Sequence, residues 1–177
     1  MFKPRERMSA LFFLGILFLC QSHATLSQNS KEDYPDAKEV MAQLTRTYMR
    51  HSVEHSPKVK CSYQVFYKKG SHLKYDKVVL PQGVKVPQYH SSFYVKRVEN
   101  STIYLSSKAE IDMGLTQVEI LFSDLKSCMV TKGPDMNYFP KECRLWMTES
   151  SFAEPSAQCT ESFKRLCTSA PFSYDIT

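Results

Sequence analysis

The chain has 177 residues, a formal net charge of +5, and 42% hydrophobic and 12% aromatic content. That composition excludes a disordered chain and suits one globular domain with a core large enough to fold alone. The basic residues are spread along the chain without a Lys/Arg block, which reads as a solvated basic surface and argues against a nucleic-acid site.

The first stretch stands apart. Met1 to Ser9 carries Lys3, Arg5 and Arg7, Ala10 to Cys20 is an unbroken apolar run, and Gln21-Ser22-His23-Ala24 offers small residues before a cut. A basic head, a short apolar stretch and a small-residue site make a secretory signal peptide. The run is too short to cross about 30 Å of hydrocarbon at about 1.5 Å per residue. Residues 1–24 are therefore expected to be removed near Ala24. Residues 25–177 are then a secreted, extracellular domain without a membrane span.

From Asp36 the stretch DAKEVMAQL predicts a short helix. Asp36 can cap it, and Val40, Met41 and Leu44 fall at helical spacing. The periodicity then changes to two, with strands expected at 45–53, 59–67, 73–80, 91–98, 102–107, 115–122, 128–132 and 143–148. Within them Cys61, Tyr63, Val65 and Tyr67 share one face, as do Val118, Ile120 and Phe122. Breaks are expected at Lys68-Lys69-Gly70, between Pro81 and Pro87, at Glu99-Asn100-Ser101, and at Gly133-Pro134-Asp135. Pro155 to Cys167 predicts a second helix. About eight evenly spaced antiparallel strands with a helix at each end suggest a barrel or a sandwich.

Loss of Cys20 with the signal leaves Cys61, Cys128, Cys143, Cys159 and Cys167. In an oxidising compartment these should mostly pair, with one left free or bound to another molecule. No spacing suggests zinc. His51 and His55 are four apart, but on a strand and its end, and read as surface histidines. Glu110, Asp112, Glu119 and Asp124 read as solvent-facing or turn residues. There is no nucleophile elbow, phosphate loop, zinc-protease motif or catalytic carboxylate pair, so neither an enzyme nor a cofactor is implied. Asn100-Ser101-Thr102 is a glycosylation sequon on an expected turn.

The stretch from Phe122 to Cys167 resembles the tick salivary lipocalins of the histamine-binding-protein group. The residues that carry the resemblance are Phe122-Ser123-Asp124 leading to Cys128, then Cys143-Arg144-Leu145-Trp146, then a helix with Cys159, Phe163 and Cys167. Upstream, Thr45 to Cys61 is similar to that family's first strand pair. The Gly-x-Trp of conventional lipocalins is absent. The resemblance implies an eight-stranded antiparallel lipocalin barrel, mainly β, with a short N-terminal and a C-terminal helix. It also implies disulfides Cys61–Cys167 and Cys128–Cys159. The first would close a loop of roughly 100 residues, worth about 4–5 kcal/mol. Cys143 is then left over, and a competing pair, Cys128 with Cys143, stays open.

Amine-binding members of that family place an Asp after the first of these cysteines and a Glu before Leu-Trp. A protonated amine in a dry cavity needs a carboxylate and gains from an aromatic face. Here those positions are Met129 and Arg144, while Leu145 and Trp146 remain. Arg144 and Trp146 are two apart on a strand and should both face the cavity. An inward guanidinium favours a carboxylate. The expected ligand is thus an anionic lipid, a fatty acid or a leukotriene- or thromboxane-like molecule, lying along Met129, Phe122, Tyr104 and Trp146. The alternatives are a biogenic amine, or a host protein such as a complement component blocked by the loops, with the 68–90 segment as the surface. In each case a monomer acting on a host mediator is expected.

Overall fold

The computed structural model describes residues 33–53, 58–83, 89–135, 139–168 and 171–176. The expected signal segment, residues 1–24, lies outside them, as does His55. Among the described residues the strands are β1 (Arg46–Ser52), β2 (Val59–Lys69), β3 (His72–Pro81), β4 (Tyr89–Glu99), β5 (Thr102–Ser106), β6 (Thr116–Ser123), β7 (Cys128–Asp135) and β8 (Phe139–Met147). Each pairs antiparallel with the next in sequence, and β8 pairs back onto β1, which also pairs with β2. The sheet is therefore a closed barrel. Helices α1 (Ala37–Gln43) and α2 (Ala157–Leu166) lie before and after it, and a short strand β9 (Phe172–Ser173) follows.

Alternation in sequence becomes inside and outside in space. On β2, Ser62, Gln64 and Phe66 are buried while Tyr63, Val65 and Tyr67 are only half-buried. Helix α1 starts where Asp36 accepts a hydrogen bond from the Lys38 N–H at 2.9 Å. Its Ala37, Val40 and Met41, with Leu44 beyond it, join the inner apolar cluster. The Ala37 N–H donates to the Asn100 carbonyl in the β4–β5 turn at 2.9 Å. The helix thus packs at the end of the barrel that carries the β2–β3, β4–β5 and β6–β7 turns. Among the described residues, the β5–β6 connection lies at the opposite end.

Helix α2 packs on the outside, against β6, β7 and β8. Between them lies a second apolar cluster that includes Leu121, Phe122, Val130, Leu145, Met147 and Phe163. Two disulfides staple this layer: Cys128–Cys159 and Cys143–Cys167. The first was expected. The second replaces the expected Cys61–Cys167 bond, and Cys61 is a buried free thiol. The reason is topological. Cys143 on β8 lies under the C-terminal end of α2, whereas Cys61 is on β2, with β1 and β9 between that strand and β8. Strand β9 pairs with β1 at His51 and Ser52, beyond the point where the β1–β2 ladder stops at Tyr48 and Tyr63. The chain's end therefore continues the wall there.

One expected break is also corrected. Gly133-Pro134-Asp135 is not a turn: β7 runs through it, pairing Gly133 with Glu142 and Asp135 with Phe139. The register shift between Gly133 and Asp135 accommodates Pro134, since a bulge tolerates a residue that cannot donate to the ladder. In the 68–90 segment the expected strand at 73–80 is present, as β3. The segment also holds the end of β2, a tight turn at Gly70 with φ 62°, and the start of β4.

Candidate functional site: the barrel interior

Strand β8 turns Arg144 and Trp146 inward, while Cys143, Leu145 and Met147 belong to the outer cluster. Arg144 is 5% exposed and Trp146 1%. Across the β7–β8 pair Trp146 faces Met129, and its indole N–H donates to Thr131 Oγ1 at 2.8 Å. Across the β8–β1 pair Trp146 faces Met49 and Arg144 faces Ser52. The Ser52 hydroxyl donates to Tyr174 Oη at 3.2 Å, so the segment after β9 reaches the same region.

A polar network continues round the wall. Gln64 on β2 donates to Thr47 Oγ1 at 3.1 Å, accepts from Tyr75 Oη at 3.0 Å, and lies 3.5 Å from Met129 Sδ. Beside it on β3 is Lys77, 8% exposed, with its ammonium 5.8 Å from the Trp146 ring centroid. Below this belt, toward α1, the interior is filled by Phe66, Ile103, Leu105, Ile120 and Leu44. Trp146 and Met129 are themselves packed out of contact with solvent.

Of the five residues expected to line the cavity, Arg144, Trp146 and Met129 come together inside. Phe122 does not. A register shift between Ile120 and Phe122 breaks the alternation, so Ile120 stays inside and Phe122 joins the outer cluster under α2. Tyr104 does not either. Ile103 and Leu105 take the inward positions of β5, and the Arg97 guanidinium stacks over the Tyr104 ring at 4.1 Å on the outer face. Lys77 and Gln64 are the residues the sequence reading missed. Their signal was present: Tyr75, Lys77 and Val79 alternate on β3, as Ser62, Gln64 and Phe66 do on β2.

The Phe122-Ser123-Asp124 motif has a structural role. Asp124 Oδ1 accepts from the N–H groups of Lys126, Ser127 and Cys128 at 3.0, 2.8 and 2.9 Å. Ser123 donates to the Cys128 carbonyl at 2.9 Å. Together they shape the turn that presents Cys128 to Cys159. Asp124, Cys128 and Cys159 cluster closely enough for a metal, but the two sulfurs are consumed by their disulfide. His51 is half-buried on the outer face, its ring 5.8 Å from Phe163 and Nδ1 3.1 Å from Ser173 Oγ. A surface concavity of about 750 Å³ beside α1 is lined by Tyr34, Asp36, Lys38, Val98, Glu99 and the sequon residue Asn100.

A closed antiparallel eight-stranded barrel, packed at one end by a helix, braced outside by a second and mainly apolar within, defines a lipocalin. The chain belongs to the tick histamine-binding protein family, whose model matches residues 25–176. No curated protein matches it. Among solved structures it is similar to the cockroach allergen Per a 4, with 13% identity, TM-score 0.59, and 83% of this chain and 93% of that one covered. Japanin from Rhipicephalus appendiculatus, bound to cholesterol, is 13% identical with TM-score 0.54, covering 75% and 93%. Insecticyanin from the tobacco hornworm Manduca sexta is 12% identical with TM-score 0.58, covering 83% and 85%. Such identities establish the shared fold. The family is one of small-molecule binders. Among the described residues, no helix is long and apolar enough to cross a membrane.

Proposed function

We propose that the protein is secreted, freed of residues 1–24 and glycosylated at Asn100, and sequesters a small anionic lipid mediator of a host in its barrel. The observation that carries this reading is the inward position of Arg144 beside Trp146, where amine-binding relatives place a Glu. A guanidinium holds a carboxylate through two parallel charge-assisted bonds. A protonated amine would instead meet a like charge in a low-dielectric site. Binding requires no chemical step. Affinity comes from burying the lipid chain in a largely preformed cavity. That Japanin, a distant structural relative, was found bound to cholesterol is in keeping with an apolar ligand body.

A second reading, a lipocalin that blocks a host protein with its loops, is favoured by the tight packing of Trp146, Met129 and the residues below them. Native mass spectrometry with a panel of eicosanoids and biogenic amines separates the readings. The expected result is an adduct with carboxylate lipids that Arg144→Ala weakens. Adducts with amines alone overturn the anionic reading, and no adduct with any of them favours the loop-mediated one.

A further inference from the structure

We infer that the first sugars of the glycan on Asn100 lie in the concavity beside α1, with the Tyr34 ring as their stacking platform. The inference rests on the glycosylation proposed above and is independent of the ligand in the barrel. Asn100 is exposed at the β4–β5 turn and shares the lining of this concavity of about 750 Å³ with Tyr34, Lys38 and Glu99. A glycan attached to a lining residue begins inside it. Backbone bonds fix Tyr34 and Asn100 relative to each other. The Tyr34 N–H donates to the Leu121 carbonyl at 2.8 Å, and the preceding residue of β6, Ile120, donates to the Ser101 carbonyl at 2.8 Å. The Ala37 N–H at the start of α1 donates to the Asn100 carbonyl at 2.9 Å. Asp33, next to Tyr34, takes two bonds from the Arg165 guanidinium at 2.7 and 2.8 Å.

Tyr34 gains little from its place in the folded chain alone. Its side chain is a large aromatic left 54% exposed, on a backbone with φ 52° that bulky residues rarely adopt. The strained conformation thus holds the ring outside the core, at the edge of the concavity. An N-acetylglucosamine presents a face of C–H groups that packs on an aromatic ring, and hydroxyl and amide groups that need hydrogen-bond partners. Tyr34 meets the first requirement, and the side chains of Lys38 and Glu99 in the same lining meet the second. Stacking removes apolar ring surface from water that the bare chain leaves wet. Because the sugar is tethered to a turn held by backbone bonds, little freedom is lost when it settles. The glycan then braces the N-terminal segment and α1 against the end of the barrel.

The test uses protein secreted from the full-length chain by a glycosylating eukaryotic host, read by a glycopeptide map of Asn100 and by thermal midpoints. Thr102→Val removes the sequon but keeps Asn100 and a β-branched residue on β5. It is expected to lower the midpoint by about 2–4 °C, the scale of one lost aromatic contact in a chain of this length. In a Tyr34→Asn background, chosen because Asn tolerates left-handed backbone, Thr102→Val should move the midpoint by less than about 1 °C. Tyr34→Phe should keep the full effect, since the ring face and not the hydroxyl makes the contact. Trimming the glycan to its first N-acetylglucosamine should keep it too. With Asn100 occupied, an equal loss in the parent and Tyr34→Asn proteins, or no loss in either, overturns the inference and leaves the glycosylation standing. An unmodified Asn100 overturns both and leaves the lipid-binding reading untouched. Should Tyr34→Asn fail to be secreted, Tyr34→Gly gives the same comparison.

Discussion

Trp146 on β8 and Thr131 on β7 are joined through the indole N–H, which donates to Thr131 Oγ1 at 2.8 Å inside the barrel. Both residues are buried, so water cannot replace the acceptor. Thr131→Val keeps the shape and removes the oxygen. It is expected to destabilise the protein by about 1–3 kcal/mol, the cost of an unsatisfied buried donor. Urea or guanidinium unfolding monitored by the fluorescence of this lone tryptophan measures it, and an unchanged midpoint would show that the indole finds another acceptor.

The sulfur connectivity gives a second expectation. A non-reducing peptide map should yield Cys128 linked to Cys159 and Cys143 linked to Cys167. Cys61 should resist alkylation until the chain unfolds, because burial, its largest influence, pushes the thiol pKa up. Breaking the second bond with a Cys143→Ser, Cys167→Ser pair should cost about 3–4 kcal/mol, while Cys61→Ala should cost about 1 kcal/mol. A peptide joining Cys61 to Cys167 would refute the arrangement.

Gly133 has no room for a side chain. A Cβ there would lie 2.7 Å from the Gln117 carbonyl oxygen and 3.1 Å from the Val118 Cα, both backbone atoms that cannot swing away. Gly133→Ala should therefore push β7 away from β6 and cost about 1–3 kcal/mol. A thermal midpoint within a degree or so of the parent would show that the strands yield freely.

Acid sensitivity should come in two steps. Burial, then the Arg50 charge and more weakly that of Lys164, hold the His51 pKa below its ordinary value, against the opposing hydrogen bond with the Phe172 backbone. The unfolded chain then takes up a proton below about pH 6.5 before the folded one does, so stability falls from there down to the folded pKa and levels off. For Asp124, burial raises the pKa. The Ser127 hydroxyl and the N–H groups of Cys128, Ser127 and Lys126 outweigh it and leave the carboxyl below its usual range. Its contribution is present above about pH 3.9 and is lost as pH falls through the lower folded value. Unfolding midpoints measured from pH 7 to pH 3 should show both slopes. His51→Gln should flatten the upper one and Asp124→Asn the lower, and an unaltered profile in either variant would assign that slope elsewhere.

Local sequence determined the elements. The 3.6-residue spacing of Val40, Met41 and Leu44 marks α1, and alternation marks β2, because these patterns follow from backbone geometry within a few residues. The inward pairing of Arg144 with Trp146 was legible for the same reason, since no bulge interrupts β8 between them. Only the tertiary structure decided which face of β5 turns in, and so placed Tyr104 outside: alternation defines two faces but not which one meets the core. It likewise decided that the register shift after Ile120 carries Phe122 to the outer layer, and that Cys143, rather than Cys61, meets Cys167. Each of these depends on which strand lies next to which across the closed sheet, and that information is held in long-range pairing rather than in any short run of residues.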